Sequence, residues 1–69
     1  MQISYNKLWK LLVDKDINKT QLREAVGISS GTLAKLGKNE SVNLEVLARI
    51  CFYLKCNIGD IVEFKYDEN

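Results

Sequence analysis

The stretch KTQLREAVGISSGTLAKL, residues 19–36, sets two short helical patterns on either side of a turn built around a single glycine. Leu22 and Val26 recur at helical spacing before the turn, and Leu33 and Leu36 after it. Gly27 falls at the junction, where a left-handed residue ends one helix and redirects the chain. Ile28 then packs inward, and Ser29 or Ser30 caps the next helix. Two further glycines lie in that helix. Gly37 is read as closing it, while Gly31 stands inside it, where glycine costs about 1 kcal/mol relative to alanine.

The flanking sequence supplies more helices. Tyr5, Leu8, Trp9 and Leu12 recur at i, i+3, i+4 and i+7, which predicts an amphipathic helix over residues 5–15 with Ser4 as its cap. The second helix begins near Lys19 or Thr20 and turns Leu22, Ala25 and Val26 inward. After the polar loop KNESVN, Asn43 caps a fourth helix in which Leu47, Ile50, Cys51 and Leu54 repeat the same spacing. Asn57 caps a short fifth helix carrying Ile58, Ile61 and Val62. The expected fold is all-α, a compact five-helix bundle forming one domain over residues 1–69, with no strand required. The tail, residues 64–69, leaves two readings. Phe64 to Asp67 alternate in the period of a strand and can pair with the same segment of a second chain, or the tail frays or packs on the first helix.

Sixty-nine residues make a small core. Disulfides and metals are poor remedies here: Cys51 and Cys56 lack zinc or redox spacing, and the chain has no histidine. Both cysteines read as small apolar fillers. No apolar run approaches a membrane span and no secretory signal opens the chain, so a cytoplasmic protein is expected. The formal net charge of +1 conceals a division. Residues 1–38 carry seven Lys and Arg against three carboxylates, and residues 39–69 carry three against six. A basic half of +4 invites a polyanion, and an acidic half of −3 keeps the other face off it.

A helix, a glycine turn and a second helix of similar length describe a helix-turn-helix, here the second and third helices. With the apolar residues inside, Ser30, Gly31, Ala34, Lys35 and Lys38 recur on the outside, a small, polar and basic face without carboxylates. The run KTQLREAVGISSGTLAKLGKNESVNLEVLARICFYLKCNIGDI, with the leading SYNKLWKLL, resembles the phage repressor and Cro-like, XRE-type family of helix-turn-helix transcription regulators over nearly the whole chain. The resemblance implies a lambda-repressor-like fold that binds double-stranded DNA, with the third helix in the major groove and a homodimer on a two-fold operator. It implies base-edge contacts from Ser30, Gly31 and Lys35, with Thr32 and Ala34 as further candidates. It implies phosphate contacts from Lys19 and Thr20 and from Lys38, Asn39 and Ser41.

Two departures from the family pattern stand out. Arg23 occupies a position near the turn that is usually small, so either the inter-helix angle differs or the side chain runs along the edge. The third helix also lacks Arg, Gln or Asn for bidentate base contacts, so specificity is expected to lean on DNA shape, backbone contacts and close approach at Gly31 and Ala34. Catalysis is not expected, because no nucleophile and base can be placed together. No cofactor, metal or small-molecule substrate is implied. The rival reading is a protein-binding adaptor or antitoxin on the same fold, with the apolar and acidic C-terminal region holding a protein partner.

Overall fold

The computed structural model describes residues 1–67, so Glu68 and Asn69 of the tail lie outside the described residues. In chain order the elements are β1 (Gln2–Ser4), α1 (Asn6–Asp14), α2 (Lys19–Val26), α3 (Ser30–Gly37), α4 (Leu44–Leu54), one 3-10 turn (Ile58–Asp60) and β2 (Glu63–Lys65). Four α-helices therefore form among the described residues, where five were expected. The region expected as a fifth helix is a single turn. Asn57 Oδ1 accepts from Ile58 N–H at 3.1 Å and Asp60 Oδ2 accepts from Asn57 N–H at 2.9 Å, so the turn is closed within its own first residues. The chain after Ile61 then extends into a strand, and Ile58 stays 41% exposed instead of entering the core.

The expectation of a strand-free fold is also corrected. β1 and β2 pair antiparallel, with Gln2 opposite Lys65, Ile3 opposite Phe64 and Ser4 opposite Glu63. The tail thus finds its partner at the other end of its own chain. This pairing displaces the start of the first helix as well. Ser4 is a buried strand residue and Tyr5 holds the cap position, with Ser4 Oγ accepting only from Asn6 N–H at 3.3 Å.

The remaining caps are all local, with Asn18 added to those expected. Asn18 Oδ1 accepts from Gln21 N–H at 2.7 Å while Gln21 Oε1 accepts from Asn18 N–H at 2.9 Å, a reciprocal capping box at the head of α2. Ser29, not Ser30, caps α3, and Asn43 caps α4 through Glu45 N–H at 2.7 Å.

All four helices end in the same way. A left-handed residue follows each, namely Asp16, Gly27, Asn39 and Lys55, with φ of 57°, 75°, 58° and 55°. The next amide reaches back across the last turn in every case: Ile17 to Leu12, Ile28 to Arg23, Glu40 to Lys35 and Cys56 to Cys51. This is the backbone pattern that satisfies orphan carbonyls at a helix end. Only one of the four left-handed residues is glycine. The role expected of Gly37 belongs to Asn39, and Gly37 is simply the last residue of α3.

The core is a single cluster of Tyr5, Leu8, Leu12, Leu22, Val26, Ile28, Leu36, Leu47, Ile50, Leu54 and Ile61. Ala25, expected inside, is exposed. α3 contributes only Leu36 as a fully buried side chain, with Leu33 packed half-buried beside it. The helix is therefore held by one narrow stripe, and most of its surface is free.

The two helix-end glycines should respond oppositely to alanine. Neither has any atom within 4 Å of an added Cβ, so backbone conformation alone decides. Gly27→Ala is expected to destabilise by about 1–2 kcal/mol, because it forces a Cβ into the left-handed region. Gly37→Ala is expected to stabilise by about 0.5–1 kcal/mol through helix propensity. Urea denaturation followed by circular dichroism reads both. A destabilised Gly37→Ala contradicts the assignment of the reversal to Asn39.

Candidate nucleic-acid interface

The site is built on α3 and the loop after it. Ser29 Oγ accepts from Thr32 N–H at 3.1 Å and donates to Thr32 Oγ1 at 3.1 Å, so both of these hydroxyls are engaged in starting the helix. Ser30 is released from that duty. Among the residues expected at base edges, Ser30, Gly31, Ala34 and Lys35 are exposed together along the outer face, whereas Thr32 is half-buried and tied to the cap. At Gly31 an added Cβ meets only Ser29 Oγ, at 3.7 Å, an ordinary contact. Nothing inside the fold requires glycine there.

The residues expected at phosphates fall in two groups. Lys19 and Thr20 stand exposed at the head of α2, the end where free amides and the helix dipole favour anions. Lys19 Nζ lies 4.3 Å from the centre of the Trp9 ring, so a half-buried aromatic of α1 holds the ammonium at this end. Lys38, Asn39 and Ser41 form the second group. With Met1, Gln2 and Ile3 they line a shallow cleft of about 520 Å³, which brings the N-terminal strand beside the loop.

That loop is fastened to α1 by Tyr5. Tyr5 N–H donates to Asn39 Oδ1 at 3.1 Å and Tyr5 Oη–H donates to the Glu40 carbonyl at 2.7 Å. The Tyr5 side chain is 1% exposed. The carbonyl of the Asn39 side chain is therefore committed to the fold, and its amide group is the part left for a ligand. Burial raises the Tyr5 phenol above its ordinary value, with the Val42 backbone acting in the opposite sense. Sequence reasoning placed Tyr5 and Trp9 in an apolar stripe and missed both polar roles. A phenol and an indole at helical core spacing are the available signal, since both carry polar atoms or faces that seek partners.

The electrostatics favour an anion. Among the described residues the only ion pair within 4 Å is Arg49 with Glu45, at 3.5 Å and exposed on α4. Lys19, Lys35 and Lys38 thus present their charge without a carboxylate. Arg23 is half-buried on α2, and its carbonyl accepts from both Gly27 and Ile28 N–H.

Other chemistry finds little support. Among the described residues no group of three His, Cys, Asp or Glu side chains could hold a metal ion. Cys51 and Cys56 are free thiols. Burial pushes the Cys51 thiol up, reinforced by Cys56 and Asp60, which disfavours the nucleophilic thiolate. Among the described residues no helix is long and apolar enough to cross a membrane.

An exposed, glycine-bearing helix behind a capped partner helix, flanked by uncompensated lysines, defines a helix-turn-helix DNA-binding domain. Residues 7–67 match the Cro/C1-type HTH DNA-binding domain family, and the chain belongs to it. It is 38% identical over 61 residues to the uncharacterized HTH-type transcriptional regulator YozG of Bacillus subtilis (strain 168), across 86% of this chain and 73% of that protein. The crystal structure of transcriptional regulator VanUg, Form II, matches with a TM-score of 0.88 at 64% identity, over 90% of this chain and 83% of that one. The chain is a DNA-binding regulator of transcription, not an enzyme.

The Tyr5 fastening can be tested by pH. A phenol raised on folding contributes stability that is present below its unfolded value near 10 and is lost as pH climbs through the folded value. Tyr5→Phe is expected to lower stability by about 1–3 kcal/mol at neutral pH, since the Glu40 carbonyl loses a buried donor. The gap between native and variant should shrink above pH 10. A gap that stays constant to pH 11.5, in urea titrations, contradicts the role given to the hydroxyl.

Proposed function

We propose that this regulator binds a two-fold operator as a homodimer, with α3 in the major groove and the α2 head and the Lys38–Ser41 loop on the phosphates either side. The observation that carries this reading is the arrangement of cations. Lys19, Lys35 and Lys38 are exposed and free of carboxylates around a helix whose outer face is otherwise Ser30, Gly31 and Ala34. Such a face can approach a groove closely and release counterions from the phosphates. Ser30 and Lys35 are the polar side chains available for base edges, so direct readout is sparse. Specificity then draws on DNA shape and on close backbone approach. Half-sites should be separated by about 34 Å, one helical turn of the duplex.

Selection from random DNA followed by binding at several salt concentrations tests this reading. The expected outcome is an enriched motif with dyad symmetry and an affinity that falls steeply with salt. A flat salt response without an enriched motif overturns it. Within that experiment, Lys38→Ala is expected to weaken all sequences alike and reduce the salt slope by about 1 per half-site, whereas Lys35→Ala alters preference at one position. Gly31→Ala is expected to stabilise the fold by about 1 kcal/mol yet weaken DNA binding. Unchanged affinity for that variant removes the close-approach argument.

A further inference from the structure

β1 carries a polar side chain to the loop after α3. Alternation along the strand sets Ile3 against the core and its neighbour Gln2 on the opposite face. There Gln2 is exposed and lines the shallow cleft it shares with Lys38, Asn39 and Ser41. Four hydrogen-bond donors thus line one cleft: the Lys38 ammonium, the Ser41 hydroxyl and the side-chain amides of Asn39 and Gln2. Asn39 offers its nitrogen, since its Oδ1 already accepts from Tyr5 N–H at 3.1 Å. Among the described residues no carboxylate side chain lines the cleft. Glu40, between Asn39 and Ser41 in the chain, takes part through its carbonyl, which holds the Tyr5 phenol. A concave set of donors around one ammonium suits a singly charged oxyanion, and each phosphodiester of DNA is one.

We propose that Gln2 is a DNA-contacting residue, its side-chain amide donating to a phosphodiester oxygen seated between β1 and the Lys38–Ser41 loop. This rests on the reading that places that loop on the phosphates, and it extends the contact beyond the helix-turn-helix to a strand ahead of α1. Every residue expected at DNA from the sequence lies at or after Lys19, because Gln2 carries no charge and belongs to no helix. What brings it to the loop acts over long range. β1 is held by its pairing with β2, and Tyr5, next after the strand, is bonded to Asn39 and Glu40 at 3.1 and 2.7 Å. The backbone that carries the donor is therefore fixed before DNA arrives, which lowers the cost of ordering it on binding. A neutral amide hydrogen-bonded to an anionic oxygen strengthens binding without releasing a counterion, so its mark is affinity without a change in salt dependence.

Position 2 allows contact to be separated from structure. Lys65 stands directly opposite it across the ladder, so Gln2→Glu adds a cross-strand pair of opposite charge and Gln2→Lys sets like charges face to face. The urea midpoint is expected to rise in Gln2→Glu and fall in Gln2→Lys, with circular dichroism verifying each fold. Affinity, measured on duplex DNA of mixed sequence because a phosphate contact is indifferent to sequence, is expected to move the other way. Gln2→Glu weakens binding about tenfold by setting a carboxylate against the phosphate, and Gln2→Lys tightens it and raises the salt slope by about 1 per bound chain. Gln2→Ala is expected to weaken binding about threefold to tenfold with the salt slope unchanged. A Gln2→Ala variant that binds as tightly as the native chain, or charge variants whose affinities follow their urea midpoints, overturns the proposal. If Lys38→Ala still lowers affinity and salt slope in that case, the loop keeps its place on the phosphates and only the Gln2 contact falls. If Lys38→Ala also changes nothing, the reading beneath it falls as well.

Discussion

The loop after α3 is fastened to the rest of the fold through Tyr5. A buried backbone amide needs an acceptor, and the Tyr5 amide finds it in the side chain of Asn39. Asn39 can reach there because its own backbone is left-handed and turns the chain back at the end of α3. One residue thus ends α3, closes its last carbonyls and clasps the head of α1. The phenol completes the clasp at the Glu40 carbonyl, whose own amide is bonded to Lys35. Lys38 lies between the helix and the clasp, so its backbone is fixed at both sides before any ligand arrives.

Much of this was legible in the sequence, and the parts that were not share a physical cause. Leu22, Val26, Leu33 and Leu36 reveal two helices by spacing, and Gly27 reveals the turn between them because left-handed backbone is a local property. Ser29, Asn43 and Asn57 act as caps for the same reason: the group each satisfies lies within three residues. The features that escaped depend on residues far apart in the chain. Gln2–Ser4 carries no strand signal of its own and becomes a strand only because Glu63–Lys65 is beside it. Tyr5 reads as core by period, and its hydrogen bonds run to residues 34 and 35 positions away. Gly37 misleads through propensity. A glycine at the end of a helical run suggests the reversal, yet Asn39 takes it, because its side chain has a use there that glycine lacks.

The fold divides labour across the exposed face of α3. Neighbouring residues of the same type take opposite duties: Ser29 caps and Ser30 is free, and Thr32 serves the cap while Gly31 serves nothing internal. Such division lets a helix with one buried leucine remain anchored while almost its whole outer half stays available. Trp9 extends the same economy to the neighbouring helix, where an apolar residue of α1 gives a cation of α2 its station.

The pairing of β1 with β2 gives the molecule a different mechanical character from that of a string of helices. Each helix ends in its own reversal, and α2, α3 and α4 carry their own caps, but the two strands join opposite ends of the chain. Backbone and hydrogen bonds together form a closed hoop. The strand next to Tyr5 is the same one that the C-terminal segment grips, so the clasp on the loop after α3 sits one peptide away from the buckle of the hoop. The C-terminal strand, β1, Tyr5 and the loop after α3 are thus joined in series, by strand pairing, one peptide bond and two hydrogen bonds.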